Sequence, residues 1–153
     1  MIQDFLRTVE LFSDLEDDEL AHVLMVAMVK RYRAGNVILT EGAAGGHLHV
    51  IHQGSVRLSK HVPGVGEEAL TILGPGEIFG ETEFFDGLAP SAHVIAHTDC
   101  DVLAIPHAEV RTLMEHRPAL TGKILWALGR TLARRVREGH RQMASLFAIS
   151  RDF

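Results

Sequence analysis

The stretch best equipped for chemistry is Gly74-Pro75-Gly76-Glu77-Ile78-Phe79-Gly80-Glu81, followed after nine residues by Ser91-Ala92. Pro75 presets φ for a turn and Gly76 tolerates φ > 0. Beyond the turn come an apolar aromatic, a glycine whose backbone N–H is open to approach, and a carboxylate. That combination suits capture of a ribose phosphate. Amide groups bind the phosphate oxygens, and the carboxylate accepts hydrogen bonds from a sugar hydroxyl.

Other constellations are weaker. His47 and His49 alternate on one strand face, and His93 and His97 share another. A metal centre, as in β-barrels of the cupin kind, also needs a carboxylate and a third histidine converging on the ion. Glu41 precedes the first pair, but Gln53 and Gly54 stand where a following carboxylate would help. Solvated or hydrogen-bonded histidines are the simpler reading, so no metal is assigned. The sequence has no Gly-x-Ser-x-Gly, no His-Glu-x-x-His and no Gly-x-x-x-x-Gly-Lys. Cys100 is the one cysteine, beside Asp101, with nothing local to lower its pKa. The chain is read as not an enzyme.

The elements that must position these residues follow from composition and patterning. The 153 residues are 46% apolar and 23% charged, enough for one domain with a buried core. Fifteen basic against twenty acidic side chains leave a net charge of −5, so no whole-chain basic field favours nucleic acid. A lone cysteine forbids an intrachain disulfide, and Met1-Ile2-Gln3-Asp4 carries no basic leader. The longest apolar run, Val23 to Val29, is too short to span a bilayer. A cytoplasmic protein with no membrane partner is expected, and Met1 favours 153 residues as the natural length.

Residues 1–26 read as helical, with Ser13 or Asp14 as a cap. The acids Asp14, Glu16, Asp17, Asp18 and Glu19 suit a first helical turn. Residues 27–106 read as β. Short runs at 37–40, 48–52, 56–60, 69–73, 93–97 and 102–105 are punctuated by glycines, which predicts a sandwich, roll or barrel. Residues 107–153 turn helical, with a break at Pro118. On the last helix Leu125, Leu128, Leu132, Val136, Met143 and Leu146 recur at three or four residues, interrupted by His140, as one stripe for a core or a partner helix. Lys123, Arg130, Arg134, Arg137 and Arg141 read as its solvated side.

Taken together, these motifs resemble the cyclic-nucleotide-binding domain of the catabolite activator protein, protein kinase A regulatory subunits and nucleotide-gated channels. The resemblance rests on Gly42 through Leu58, with Gly42, Leu48, Ile51, Gly54 and Val56 at family positions, on Leu73 through Glu81, and on Pro90-Ser91-Ala92-His93-Val94. Leu11-Phe12 and Pro118 also fall where the family has them. It implies a mainly β domain over 1–153: an eight-stranded antiparallel, jelly-roll-like β-roll, an N-terminal helix and C-terminal helices, the last one long. It also implies a phosphate-binding cassette from about Phe79 to Ala92. Gly80 and Glu81 match the ribose-contacting pair. Ser91 and Ala92 match the groups that reach the cyclic phosphate, and Leu58, Leu70 and Leu73 would line the base pocket.

The sequence departs from the family at three points. Pro90 stands in place of the phosphate-pairing arginine, which removes a charge-assisted pair worth roughly 1.5–3 kcal/mol, about one to two decades of affinity. Glu83 stands where the family keeps a small residue near the phosphate. Arg135 and Val136 fall near the helix positions that meet the base in the catabolite activator. The expected function is a non-enzymatic regulatory or interaction module with a degenerate cassette. The alternative is a genuine cyclic AMP or cyclic GMP sensor signalling through its C-terminal helices. No cofactor is expected beyond either nucleotide as a weak ligand. The expected partners are a second copy, through the last helix, and a protein. With no helix-turn-helix before Phe153, sequence-specific DNA is not among them.

Overall fold

In the computed structural model, which describes residues 1–151, the chain opens with helix α1 (Ile2–Thr8), a 3₁₀ turn (Glu10–Phe12) and helix α2 (Asp17–Val26). Six strands follow: β1 (Met28–Tyr32), β2 (Val37–Leu39), β3 (His47–Gln53), β4 (Val56–Val62), β5 (Gly66–Leu73) and β6 (Ile78–Phe79). Helix α3 (Glu81–Asp86) leads into β7 (His93–Ala96) and β8 (Cys100–Pro106), and α4 (His107–His116) and α5 (Pro118–Arg151) complete the order. Asp152 and Phe153, the end of the zone assigned to helix, lie outside the described residues.

All strand pairs are antiparallel, in two four-stranded sheets ordered β1-β8-β3-β6 and β2-β7-β4-β5. The eight-stranded architecture is as expected, but the fold is not mainly β. It is a mixed fold, 46% helical and 28% strand, because α5 alone is a single helix of 34 residues. Two strands lay outside the runs visible in the sequence. In β1, Lys30 and Arg31 break the apolar pattern on a half-exposed edge, and β6 is two residues long.

The near-continuous burial of β3 follows from its two covered faces. Leu48 and Val50 pack outward with Leu103 and Ile105 against the helices, in a core shared with Leu6, Phe12, Leu20, Ile124 and Leu128. Ile51 points inward with Val56, Phe79, Val94 and Val102, between the sheets. The β3–β6–β8 sheet is therefore a wall between a helical layer and the interior of the roll.

The helical layer departs from expectation in three places. First, α2 begins after Glu16, not at Ser13 or Asp14. The Glu16 N–H donates to Glu19 Oε1 at 2.8 Å, which ties the first turn to its own acid. Second, the apolar stripe of α5 divides. Leu120, Ile124, Ala127, Leu128 and Thr131 are buried, whereas Leu125, Val136, Met143 and Leu146 are exposed. Third, the basic side of α5 is not simply solvated. Lys123 pairs with Glu19 at 2.7 Å, Arg134 with Glu10 at 2.6 Å and Arg130 with Asp14 at 3.6 Å, while Arg117 just before α5 meets Asp18 at 3.1 Å. The acidic run and the basic row thus face each other. Such part-exposed pairs contribute up to about 1 kcal/mol each, so they set register while the apolar core supplies most of the adhesion. Among the described residues, no helix is long and apolar enough to cross a membrane.

Candidate ligand-binding site

The cassette begins where β6 hands over to α3. Gly80 sits between them with φ of 84°, in the left-handed region, and a Cβ there would collide with the His47 carbonyl oxygen. Its own carbonyl accepts a hydrogen bond from His107 Nε2 at 2.9 Å. One residue earlier, the Phe79 ring stacks on His49 at 4.5 Å and 4°. His49 is 3% exposed, its Nδ1 has no hydrogen-bond partner, and burial pushes its pKa down to about 3. The preceding turn is held by Glu77, whose Oε2 accepts the Gly74 N–H at 2.7 Å. Gly80 therefore launches Glu81 from a backbone fixed on both sides.

Glu81 is buried and pairs with Arg135 of α5, which also donates to the Ile78 carbonyl. The sequence pointed to Glu81 but not to this partner. Arg135 also borders the cleft that holds Leu70 and Leu73, where α5 contributes Arg134, Arg135, Glu138, Gly139 and Gln142. The signal lay in the Arg134-Arg135 pair: adjacent helical positions point about 100° apart, so one can bond Glu10 while the other turns to the cassette.

Glu83 lies two residues beyond Glu81 on α3, its stem packed beside Gly45 and Pro90. Its Oε2 is buried without a partner, and burial raises its pKa above the ordinary carboxylate value. Pro90 is buried and accepts the Gly42 N–H at 3.0 Å through its carbonyl, so it is a packing residue in this loop.

A cavity of about 60 Å³ brings Gly80, Glu81, Ser91, Ala92 and Leu58 together, with Glu83 and Arg135 also on its wall. Leu39 and Val94 complete its apolar side, a contribution the sequence reading had not assigned. Leu70 and Leu73 are not in that cavity. They line an adjoining open cleft of about 470 Å³ against α5, and Leu58 and Arg135 border both spaces. Arg135 thus stands where the two meet.

The histidines do other things. His93 Nδ1 accepts the Glu41 N–H at 3.1 Å, and the His47 and His49 ring centroids lie 6.0 Å apart. Among the described residues, no group of three His, Cys, Asp or Glu side chains is placed to hold a metal ion.

Comparison with known proteins agrees with this geometry. Residues 29–117 match the model of the cyclic nucleotide-binding domain. The chain is 33% identical over 128 residues to the cyclic AMP receptor protein of Thermus thermophilus, covering 84% of this chain and 57% of that one. It is 26% identical over 145 residues to the CRP-like cAMP-activated global transcriptional regulator of Mycobacterium tuberculosis, covering 95% and 63%. It therefore spans about three fifths of the length of these curated relatives. Among solved structures, a cyclic nucleotide-binding domain from Methylobacillus flagellatus superposes with a TM-score of 0.81 at 27% identity, covering 92% of this chain and 79% of that one. Relatives thus include CRP-like regulators, and the regulatory domain of Toxoplasma gondii protein kinase A, solved with cAMP, matches at 25% identity and TM-score 0.66, covering 72% of this chain and 42% of that one. The matched span runs from β1 through the end of α4 and carries the whole cassette, and on that ground the chain belongs to the cyclic nucleotide-binding domain family.

Proposed function

We propose that this chain is a non-enzymatic regulatory and interaction module, a single domain over 1–153, whose cassette is not built to hold a cyclic phosphate tightly. The observation that carries this reading is the electrostatic arrangement of the pocket. Pro90 brings no cation or N–H to the phosphate position, and Glu83 brings an unpartnered carboxylate oxygen beside it. The nearest guanidinium, Arg135, is committed to Glu81 and the Ile78 carbonyl. A phosphate moved from water into such a site meets amides and one hydroxyl but no free cation, which leaves its desolvation poorly offset.

Output and partnership fall to α5. Beyond Thr131 the helix carries exposed Val136, Met143, Leu146 and Phe147, and residues 132, 136, 139, 143 and 146 alternate by four and three, the spacing of a helix-pair seam. A homodimer through this segment would cover it, and a protein partner would read the paired surface. The net charge of −5 gives no support for DNA readout by this chain, and a cytoplasmic location fits the lone cysteine.

A second reading, a working cyclic nucleotide sensor, is favoured by one observation: Gly80, Glu81, Ser91 and Ala92 share one cavity. Calorimetric titration with cyclic AMP and cyclic GMP separates the two. Weak or absent binding supports the module, and submicromolar binding by the wild-type chain establishes the sensor.

A further inference from the structure

We propose that the cassette selects an uncharged nucleoside over its cyclic phosphate, with Glu83 accepting a hydrogen bond from a ribose hydroxyl. This rests on the reading of the cassette given above and names the ligand class that the same pocket would take.

The starting point is the Glu83 Oε2 atom, buried and without a hydrogen-bond partner on the wall of the cavity. A buried carboxylate oxygen is an acceptor only, and leaving it unpaired costs free energy that a donor would recover. The chain supplies none. Pro90, close to the Glu83 stem, has no N–H to offer. Arg135 contacts Oε1 of Glu81, which leaves the second oxygen of Glu81 free of that guanidinium. Counted as ionised groups, Glu81, Glu83 and Arg135 sum to one net negative charge. An incoming anion is therefore repelled, while a ligand with O–H groups finds two acceptors two residues apart on α3.

A nucleoside meets these demands atom by atom. Its 2′-hydroxyl donates to Glu81. Another hydroxyl, at the 3′ or 5′ carbon, donates to Glu83. In a 3′,5′-cyclic nucleotide those same oxygens are phosphate esters and carry no hydrogen. The base has Leu58 on the cavity wall and Leu70 and Leu73 in the adjoining cleft for apolar contact. A site built around a buried acceptor discriminates strongly against a ligand lacking the matching donor, because the acceptor is then left unpaired.

The test is calorimetric titration of the full chain with adenosine, guanosine, 3′-deoxyadenosine, 5′-deoxyadenosine and cyclic AMP, repeated on Glu83→Ala. We expect a nucleoside to bind the wild-type protein at least about tenfold more tightly than cyclic AMP. Glu83→Ala should lose about tenfold, and deleting one ribose hydroxyl from adenosine should cost a similar factor in wild type but little in the variant. The ligand series keeps the test open if Glu83→Ala does not fold. No nucleoside binding, or deoxy analogues that all bind like adenosine, overturns the inference and leaves the phosphate-averse cassette standing. Cyclic AMP binding more tightly than adenosine overturns the inference, and if that binding is submicromolar it overturns the phosphate-averse reading as well.

Discussion

Glu81 of α3 and Arg135 of α5, 54 residues apart in the chain, are bonded across the seam between the cassette and the long helix. The same guanidinium donates to the Ile78 carbonyl at the end of β6, so one side chain ties together strand, cassette helix and α5. Glu81 also stands on the wall of the cassette cavity. Any occupant that competes for its carboxylate therefore acts on Arg135, and through it on the segment that carries the exposed apolar stripe.

Breaking this bond from one side should be costly. Arg135→Ala leaves a carboxylate that is only 7% exposed without its cation, and a loss of roughly 3 kcal/mol is expected. The double variant Arg135→Ala, Glu81→Gln should recover part of it. Urea unfolding midpoints of the three proteins measure the difference; equal midpoints for wild type and Arg135→Ala would show that the pair contributes nothing.

The phosphate site should respond to charge. Glu83→Ala with Pro90→Arg removes the repelling acid and adds the missing cation, and cyclic AMP affinity should rise at least about tenfold. Adding Glu81→Ala should reverse the gain. An unchanged affinity in a folded double variant would mean that the Gly42-to-Pro90 backbone bond shapes this loop in a way a side chain cannot undo.

Association through α5 is checked by light scattering. The wild-type chain should show about twice the chain mass, and Val136→Glu with Met143→Glu should be a folded monomer, since both side chains are exposed on the single chain. A wild-type monomer at high micromolar concentration ends the dimer.

Acid should destabilise the cassette from beneath. Burial lowers the pKa of His49 most, to about 3, and also lowers His47 and His107. Lys30, His47 and His107 add positive charge near His49. Above the ordinary histidine value of 6.5, His49 is neutral folded or unfolded and the term vanishes. As pH falls below it, the unfolded chain takes up a proton that the folded chain refuses, so stability drops toward pH 3 by an amount on the order of 3–5 kcal/mol. His49→Phe, which keeps a ring against Phe79, should flatten the slope of stability between pH 6 and 4 in thermal melts. An unchanged slope would assign the acid sensitivity to other groups.

Gly80 is expected to be irreplaceable on two counts. Its φ of 84° strains any L side chain, and a Cβ would meet the backbone carbonyl of His47 rather than a side chain able to swing away. Gly80→Ala should therefore cost more than the roughly 1 kcal/mol of left-handed strain alone. A melting temperature within a degree of wild type would contradict this.

Much of this was legible in the chain itself because it depends on local chemistry. Glycine punctuation separated the strands β2 to β5, β7 and β8, since short runs between turn residues have no other compact use. Pro118 divided the last two helices because its ring excludes helical geometry from the preceding residue, and Arg117 is indeed extended at φ −135° and ψ 84°. The combined spacing of the blocks at 42–58, 73–81 and 90–94 carried the family resemblance for the same reason: a backbone that must turn and present amides tolerates few residues.

What the chain could not disclose is which charged groups face one another. The acids at 14–19 and the bases at 117–134 look like two solvated surfaces until α2 and α5 are packed together, and then they pair. Arg135, expected near the base, lines that cleft and is also the partner of Glu81, because its direction depends on where α5 crosses the cassette, which the periodicity of α5 alone leaves undetermined. The division of the α5 stripe has the same origin. Period and polarity determine that a helix has an apolar face, but only the packing of the fold decides that Leu128 of this stripe is covered while Leu125 and the positions from Val136 onward are bare.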